Sequence, residues 1–221
     1  MLIYPSILEK DAASLSEYLH QLLPVFDHFQ LDVVDGDFVP GNTVPLDDVV
    51  KKLTKEATDF KEKTFEFHLM VRKYDDELKK IKKLLQYIEI NLVIIHAEVL
   101  VTPFDLEQAD WDFGICLNPE TTVDSCWEKI KDFPFIQLMT VYPGQQGAPF
   151  VPEVLDKITV LRKKGYSGKI TLDGAMNDTT LPIILSKKYL PDAICPGSYF
   201  KQNPQTQLEK LQRILATGYK G

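Results

Sequence analysis

Two aspartates and one histidine occupy short apolar runs from which they could act on one substrate. Asp32 and Asp173 each lie at the end of such a run just before a glycine turn, and His68 lies inside a third run. Apolar runs of this length bounded by Gly and Pro are typical of buried parallel strands. Polar residues at the carboxyl ends of such strands converge on one pocket when the strands close into a barrel. Two carboxylates facing across a pocket can remove a proton from one face of a carbon and return one to the other, which is epimerisation.

Alternation along the strands indicates which side chains accompany these three residues. Gln30 shares the inward face with Asp32, and Glu66 shares a face with His68. A buried aspartate is costly unless it is paired or functional, so Asp32 is either catalytic or a structural residue that bonds loop amides. His68 is either a ligand or a satisfied core residue. For His96 we expect a hydrogen-bonded residue at a strand end.

Glycine-containing turns follow three of the predicted strands and suggest a phosphate site. Gly144 and Gly147 lie in a donor-rich loop after the sixth strand, Gly174 follows the seventh, and Gly197 and Ser198 follow the eighth. The loops after strands seven and eight are the usual phosphate site of a (β/α)8 barrel. One glycine alone is weak support, because turns need glycine anyway. Their joint placement on one rim predicts that this rim binds a phosphate.

Strand and helix signals alternate along the whole chain. Helix starts are indicated by Asp11, by Pro152 and by Asn203-Pro204. The eight strand signals fall near Leu2–Leu8, Phe29–Val34, Phe65–Val71, Leu92–His96, Phe113–Leu117, Phe135–Val141, Lys169–Leu172 and Ala193–Cys195. This pattern predicts an α/β fold, a single (β/α)8 TIM-barrel domain over residues 1–221, rather than two domains. A doubly wound sheet is the alternative, but no strand is followed by a G-x-G-x-x-G turn.

Two segments depart from a regular repeat of strands and helices. Between His96 and Phe113 there is room only for a helical turn or two, started by Thr102-Pro103. A further apolar face at helical spacing, which includes Leu85 and Ile88, predicts a helix that reaches these residues.

Composition excludes some classes of function. The 221 residues are 44% hydrophobic and 26% charged, with a net charge of −7, which argues against a nucleic-acid or anionic-membrane partner. A small anionic substrate stays compatible, because backbone N–H groups can hold a phosphate. No apolar run reaches the roughly 18 residues of a membrane span, and the first residues lack the features of a signal peptide. We therefore expect a cytoplasmic protein whose Cys116, Cys126 and Cys195 are reduced thiols.

Several motifs, in the right order and over nearly the full length, resemble the ribulose-phosphate 3-epimerase family. They are Pro5–Leu8, Leu31–Gly36 with Phe38–Pro40, His68–Val71, Leu117–Pro119, Met139–Gly144 with Gly147 and Pro149–Glu153, Leu172–Gly174, and Gly197-Ser198. The resemblance implies a TIM barrel of the ribulose-phosphate-binding type.

The resemblance also implies roles for residues that match the motifs. Asp32 and Asp173 match the paired acid and base, and together with His68 they match ligands of a divalent metal (Zn, Fe, Mn or Mg). The substrate-binding positions are Ser6, His68, Met70, Met139, Gly144, Gly147, Gly174, Gly197 and Ser198. Met70 and Met139 match methionines that shield the reacting carbon.

This sequence differs from the family pattern at several site positions. Gln30 stands where the family has a second metal-binding histidine, and a glutamine is a weaker ligand for Zn and Fe. Asp37 replaces a usual histidine, Val34 replaces a third methionine, and Ala175 replaces a glycine. We therefore expect weak or absent metal binding, with metal identity and substrate left open.

The predicted function is inversion of C3 of a ketose phosphate. The substrate would be D-ribulose 5-phosphate and the product D-xylulose 5-phosphate, through an enediolate, which is a reaction of the pentose phosphate pathway. Alternatives are an epimerase for another ketose phosphate, such as allulose 6-phosphate, and a metal-free pseudoenzyme that binds phosphosugars. Phosphate-dependent decarboxylases and aldol synthases are disfavoured, because Val34 stands where they carry a lysine. The expected partner is a phosphorylated ketose, and assembly into a homo-oligomer is left open.

Overall fold

Nine parallel strands form one sheet in the structure, a computed structural model that describes residues 1–101, 104, 110–143 and 147–218. The strands are β1 (Leu2–Ile3), β2 (Ser6–Ile7), β3 (His28–Val34), β4 (Thr64–Met70), β5 (Glu89–His96), β6 (Asp112–Leu117), β7 (Phe135–Met139), β8 (Lys169–Asp173) and β9 (Ala193–Cys195). Their order in the sheet is β1-β9-β8-β7-β6-β5-β4-β3-β2. Strands that are consecutive in sequence therefore lie side by side in the sheet, except that β1 pairs with β9 and not with β2.

The N-terminal stretch closes this sheet into a barrel. β1 pairs with β9, and β2 pairs with β3. Between them, the N–H of Ser6 donates to Pro196 O at 3.0 Å and the N–H of Gln30 donates to Pro5 O at 3.0 Å. The predicted (β/α)8 barrel is therefore confirmed. The first strand was expected to run unbroken from residue 2 to residue 8, but Pro5 has no N–H to donate and the strand is split there.

Helices connect the strands. The α-helices among the described residues are α1 (Ala12–Leu22), α2 (Leu46–Lys55), α3 (Tyr74–Lys82), α4 (Val123–Ile130), α5 (Asp156–Lys163), α6 (Leu181–Leu185) and α7 (Pro204–Thr217). Short 3-10 helices cover Ala57–Phe60, Pro152–Leu155 and Ser198–Lys201. None of these helices is long and apolar enough to cross a membrane.

Two helix starts follow the predicted caps, and two other predictions need correction. Asp11 accepts the N–H groups of the first turn of α1, and Asn203 caps α7 in the same way. Pro152, however, begins a 3-10 turn, and α5 starts only after it. Helix α3 ends before Leu85 and Ile88, which pack from the following turns. The predicted turn at Thr102-Pro103 lies outside the described residues.

The barrel wall separates an outer apolar layer from a polar interior. On β3 and β4, outward side chains such as Phe29, Phe65 and Phe67 are fully buried against the helices. Inward positions on the same strands carry polar groups, and Asp32 is paired in register with His68. Burying polar groups inside the barrel costs free energy unless they are hydrogen-bonded. The large apolar core outside the strands provides the stability that offsets this cost.

Candidate active site

Four inward-facing side chains from different strands meet near the carboxyl end of the barrel. Asp32 belongs to β3, His68 to β4, Gln137 to β7, and Asp173 is the last residue of β8. All four are buried. Their meeting follows from closure of the barrel, since β3 and β8 are far apart in sequence but are separated in the wall only by the N-terminal stretch and β9.

His68 lies between the two carboxylates. Its Nδ1 is 3.2 Å from Asp32 Oδ1 and 3.2 Å from Asp173 Oδ2. The three residues each offer one ligand atom, and these atoms all lie within 4.8 Å of one another. Two carboxylate oxygens and one imidazole nitrogen suit a divalent cation. The three residues predicted as metal ligands are therefore close enough together to share one ion.

Gln30 bridges the two aspartates through its NH2 group. Its Nε2 donates to Asp32 Oδ1 at 3.0 Å and to Asp173 Oδ2 at 3.0 Å. At the other end of the amide, the Cys195 thiol donates to Gln30 Oε1 at 3.3 Å. All polar atoms of this fully buried side chain thus have partners, and its amide nitrogen, not its oxygen, faces the carboxylates.

Gln137 is a site residue that the sequence analysis did not identify. Its Nε2 donates to Asp173 Oδ2 at 3.0 Å and lies 3.1 Å from His68 Nδ1. Its Oε1 is buried and has no hydrogen-bond partner among the described residues. The available signal was its place in β7, two residues before Met139 and therefore on the same inward face.

A second polar cluster lies behind His68. The Nε2 atoms of His68 and His96 are 2.9 Å apart, and the two rings are stacked. Together with Cys116 they form another group whose ligand atoms lie within 4.8 Å of one another. His96 is fully buried and hydrogen-bonded at the end of β5, which confirms the role expected for it. All three cysteines of the chain are buried free thiols.

The surroundings of Asp32 and His68 shift their protonation. Burial, together with the nearby charge of Asp173, raises the pKa of Asp32 to about 6. Burial by itself lowers the pKa of His68, but the charge interaction with the Cys116 sulfur and the hydrogen bonds to Asp173 and Asp32 outweigh it, so the pKa is raised. A carboxyl group that holds its proton almost to neutrality can act as an acid as well as a base.

A pocket of about 290 Å³ opens above this cluster. That volume is near the lower end of the range for small-molecule sites. The predicted site residues that line it are Ser6, Asp32, Met70, Met139, Gly147, Asp173, Gly174, Gly197 and Ser198. His68 is fully buried below the pocket floor, where it contacts the aspartates instead of the pocket. Gly144 lies outside the described residues.

Tight turns shape the rim after β8 and β9. Gly174 has a φ of +106°, and a Cβ on it would lie 2.5 Å from Val141 Cγ2. Ala175 follows with a φ of +51°, which is unusual for a residue with a side chain. In the turn after β9, a Cβ on Gly197 would be 3.0 Å from Ser6 Oγ. The backbone therefore approaches the pocket closely on this side, as a phosphate site made of N–H groups requires.

Comparison with known proteins agrees with this geometry. The sequence model of the "Ribulose-phosphate 3 epimerase family" matches residues 2–200. A protein named ribulose-phosphate 3-epimerase from Methanocaldococcus jannaschii is 31% identical over 94% of this chain and 88% of its own. Its namesake from Mycobacterium tuberculosis is 33% identical over 81% of this chain and 78% of its own. These matches confirm the resemblance that the motifs indicated.

Solved structures extend the likeness of fold. The 3-hexulose-6-phosphate synthase of Salmonella typhimurium has a TM-score of 0.66 over 99% of this chain and 100% of its own, at 11% identity. The thiamine phosphate pyrophosphorylase of Pyrococcus furiosus has a TM-score of 0.59 over 99% and 96%, at 13% identity. At such low identity these structures show the shared barrel alone.

Proposed function

Because the chain belongs to the ribulose-phosphate 3-epimerase family, we propose that it inverts C3 of a ketose phosphate, converting D-ribulose 5-phosphate to D-xylulose 5-phosphate. One observation carries the proposal. Asp32 and Asp173 approach the floor of one small pocket from separate parts of the barrel wall, so that a bound carbon can meet a carboxyl group on each face.

The reaction needs two carboxyl groups in different protonation states. An ionised aspartate removes the C3 proton, and the other aspartate delivers a proton to the opposite face of the enediolate. The pKa of about 6 for Asp32 makes this residue able to hold a proton close to neutral pH. His68 contacts both carboxylates and, when protonated, offsets part of their negative charge, which supports two acidic groups in a buried site.

A divalent metal fits the same residues. Asp32, His68 and Asp173 would hold it, because their ligand atoms already lie close together. When bound, such a metal supplies Lewis-acid stabilisation of the negative charge on the substrate oxygens.

The rim suggests how the phosphate is held. The turns after β8 and β9 line the pocket with little room for side chains. The N–H groups of Gly174, Gly197 and Ser198 in these turns can donate to phosphate oxygens. We propose that Met70 and Met139 cover the reacting carbon, since both line the pocket beside the aspartates. Assembly into a homo-oligomer and a cytoplasmic location stay predictions.

The test is solvent-deuterium incorporation at C3, followed by proton NMR in D2O. Ribulose 5-phosphate should exchange and epimerise, whereas free ribulose should react far more slowly because the phosphate turns stay unfilled. Asp32→Asn and Asp173→Asn should each reduce epimerisation by roughly 10²–10⁴-fold. Each variant can retain exchange on the face that its remaining carboxylate reaches.

Asp48→Asn is the matched control, because Asp48 lies on the surface of α2 and pairs with Lys51. It should epimerise like the wild type. Exchange with allulose 6-phosphate but not with ribulose 5-phosphate would correct the substrate. No exchange with any ketose phosphate that binds would instead identify a pseudoenzyme, and unchanged turnover in both aspartate variants would refute the two-base assignment.

A further inference from the structure

The amide of Gln137 cannot be satisfied by its present neighbours. With Nε2 towards the site, the amide donates to Asp173 Oδ2, but His68 Nδ1 is also only 3.1 Å away. If Nδ1 carries a proton, two donors face each other. If it carries none, it can accept the second hydrogen of the Gln137 amide, but its lone pair then also faces the carboxylate oxygens of Asp32 and Asp173 at 3.2 Å. In both cases Gln137 Oε1 is left buried without a partner among the described residues.

Rotating the amide does not solve the conflict. Its oxygen would then accept a proton from His68 Nδ1 but would face Asp173 Oδ2, which is an acceptor like itself. Asp173 Oδ2 is also crowded as it stands, with nitrogens of Gln30, Gln137 and His68 at 3.0, 3.0 and 3.2 Å. An oxygen of a carboxylate has about two lone-pair sites to offer to these three groups.

We propose that Gln137 is a cation ligand, whose amide rotates to direct Oε1 at a divalent ion held by Asp32, His68 and Asp173. Such an ion would use the lone pairs of Nδ1 and of both carboxylates, and the oxygen of Gln137 would gain a partner. Asp173 Oδ2 would keep one hydrogen bond, from Gln30, beside its bond to the ion. This proposal rests on the metal site invoked in the proposed function, but it does not need the epimerase reaction.

The spacing of the atoms fits a small divalent ion. Neighbouring ligands around Mg²⁺ or an ion of similar size are roughly 3 Å apart, given metal–oxygen distances near 2.1 Å. The contacts that Gln137 Nε2 makes to Asp173 Oδ2 and to His68 Nδ1 are 3.0 and 3.1 Å. A site of two carboxylates, one amide oxygen and one imidazole is rich in oxygen, so Mg²⁺ and Mn²⁺ should suit it better than softer ions.

Gln30 provides the internal comparison. It lies as close to the two carboxylates as Gln137 does, but both of its hydrogens and its oxygen already have partners. Rotation of its amide would break two hydrogen bonds to charged acceptors. We therefore assign Gln30 to positioning the carboxylates and only Gln137 to the ion.

The experiment is a titration of chelator-treated protein with Mn²⁺, in which the free ion is measured by electron paramagnetic resonance without substrate. Wild-type protein should bind one Mn²⁺ per chain. Gln137→Leu should raise the Kd at least tenfold, and Gln137→Glu, which adds a charged oxygen at the same place, should lower it at least tenfold. Asp48→Asn, a substitution on the surface of α2, is the matched control and should bind Mn²⁺ like the wild type. Circular dichroism checks that each variant is folded.

Several results would overturn the assignment. One is unchanged Mn²⁺ affinity in Gln137→Leu, and another is a wild-type protein that binds no Mn²⁺ at millimolar concentration. If Gln137→Leu does not fold, a Gln137→Glu protein that binds no more tightly than the wild type decides against it. Binding that is lost in Cys116→Ser but kept in Gln137→Leu would place the ion in the His68, His96 and Cys116 cluster instead.

Measuring C3 exchange on the same preparations separates this inference from the proposed function. Mn²⁺ binding that depends on Gln137, without C3 exchange, would refute the epimerase proposal and leave the ligand assignment intact. C3 exchange in a protein whose Mn²⁺ affinity does not change on Gln137→Leu would refute the ligand assignment and leave the epimerase proposal intact.

Discussion

At the scale of single residues, two aspartates close together in sequence have opposite electrostatic surroundings. Asp32 is buried beside Asp173, and its pKa is raised to about 6. Asp35 lies outside the barrel interior and accepts the backbone N–H groups of Asp37, Phe38 and Arg72. Partial burial opposes ionisation of Asp35, but these bonds outweigh it and lower its pKa. The ionised carboxylate of Asp32 therefore lowers the stability of the fold, whereas that of Asp35 raises it.

We expect Asp32→Asn to raise the free energy of unfolding at pH 8 by roughly 1–3 kcal/mol. The folded-state pKa of Asp32 lies above its unfolded value of 3.8. Its contribution to stability is therefore complete below pH 3.8 and is lost as the pH rises through about 6. The advantage of the variant should shrink as the pH falls towards 4, which urea unfolding at several pH values measures.

Asp35→Asn is the control of opposite sign. Because the folded pKa of Asp35 is lowered, its contribution is present above the unfolded pKa and is lost on acidification. This variant should be less stable than the wild type at pH 8 and should approach it in acid.

A destabilised Asp32→Asn protein at pH 8 would show that hydrogen bonds, rather than charge repulsion, dominate at the buried site.

Sequence reasoning finds some of these residues and misses others for a physical reason. Asp173 is visible because it ends an apolar run before a turn, and Asp32 because it is a charged residue near the end of another such run. Gln137 is one polar residue inside the run of β7, and its meaning depends on which atoms of other strands it faces. Those contacts are set by strand register and barrel closure, which short-range patterns do not contain.

At the scale of elements, the strands were predictable, and the details at their ends were less so. Apolar runs located every strand region within a few residues, since strands covered on both faces are apolar almost throughout. The split at Pro5 and the early end of α3 depend on single hydrogen bonds and on local turns. Such details matter here, because the site is built on the ends of strands and on the turns after them.

The turn after β8 is the element whose shape is most constrained. Gly174→Ala should destabilise the protein by about 2–4 kcal/mol, through a left-handed backbone conformation and a clash with Val141. Gly165→Ala has a similar φ of +87° but nothing within 4 Å of its Cβ, so it should cost only about 1 kcal/mol. Urea denaturation of both variants measures the difference.

The double variant Gly174→Ala/Val141→Ala tests the cause of this difference. Removing the methyl groups of Val141 relieves the two shortest contacts but leaves its Cβ at 3.1 Å and the backbone strain in place. Relative to Val141→Ala alone, the glycine substitution should then cost clearly less than it does in the wild-type background. If Gly174→Ala and Gly165→Ala lose equal stability, the close approach of Val141 does not constrain the turn.

At the scale of the whole molecule, the two ends of the barrel serve different purposes. The carboxyl ends of the strands carry the pocket, whereas the amino ends are tied together by structural bonds. Lys63, just before β4, is one such tie: its Nζ donates to Leu23 O at 3.0 Å, Phe26 O at 2.9 Å and Asp27 Oδ1 at 2.6 Å. One side chain thereby joins the end of α1 to the starts of β3 and β4.

Because the two ends have different roles, substitutions at one end should change stability and substitutions at the other should change activity. Lys63→Met should lower the free energy of unfolding by roughly 2–4 kcal/mol, because three carbonyl or carboxylate groups lose a charged donor. Its kcat/KM should stay at the wild-type value, since Lys63 is at the opposite end of the barrel from the pocket.

Ser6→Ala should instead raise KM for the phosphorylated substrate and change stability by less than about 1 kcal/mol, because Ser6 lines the pocket beside Gly197. Urea unfolding and steady-state kinetics on both proteins give the four values. Loss of activity in folded Lys63→Met at low temperature would show that strain at the amino end reaches the site, and the two ends would then not be independent.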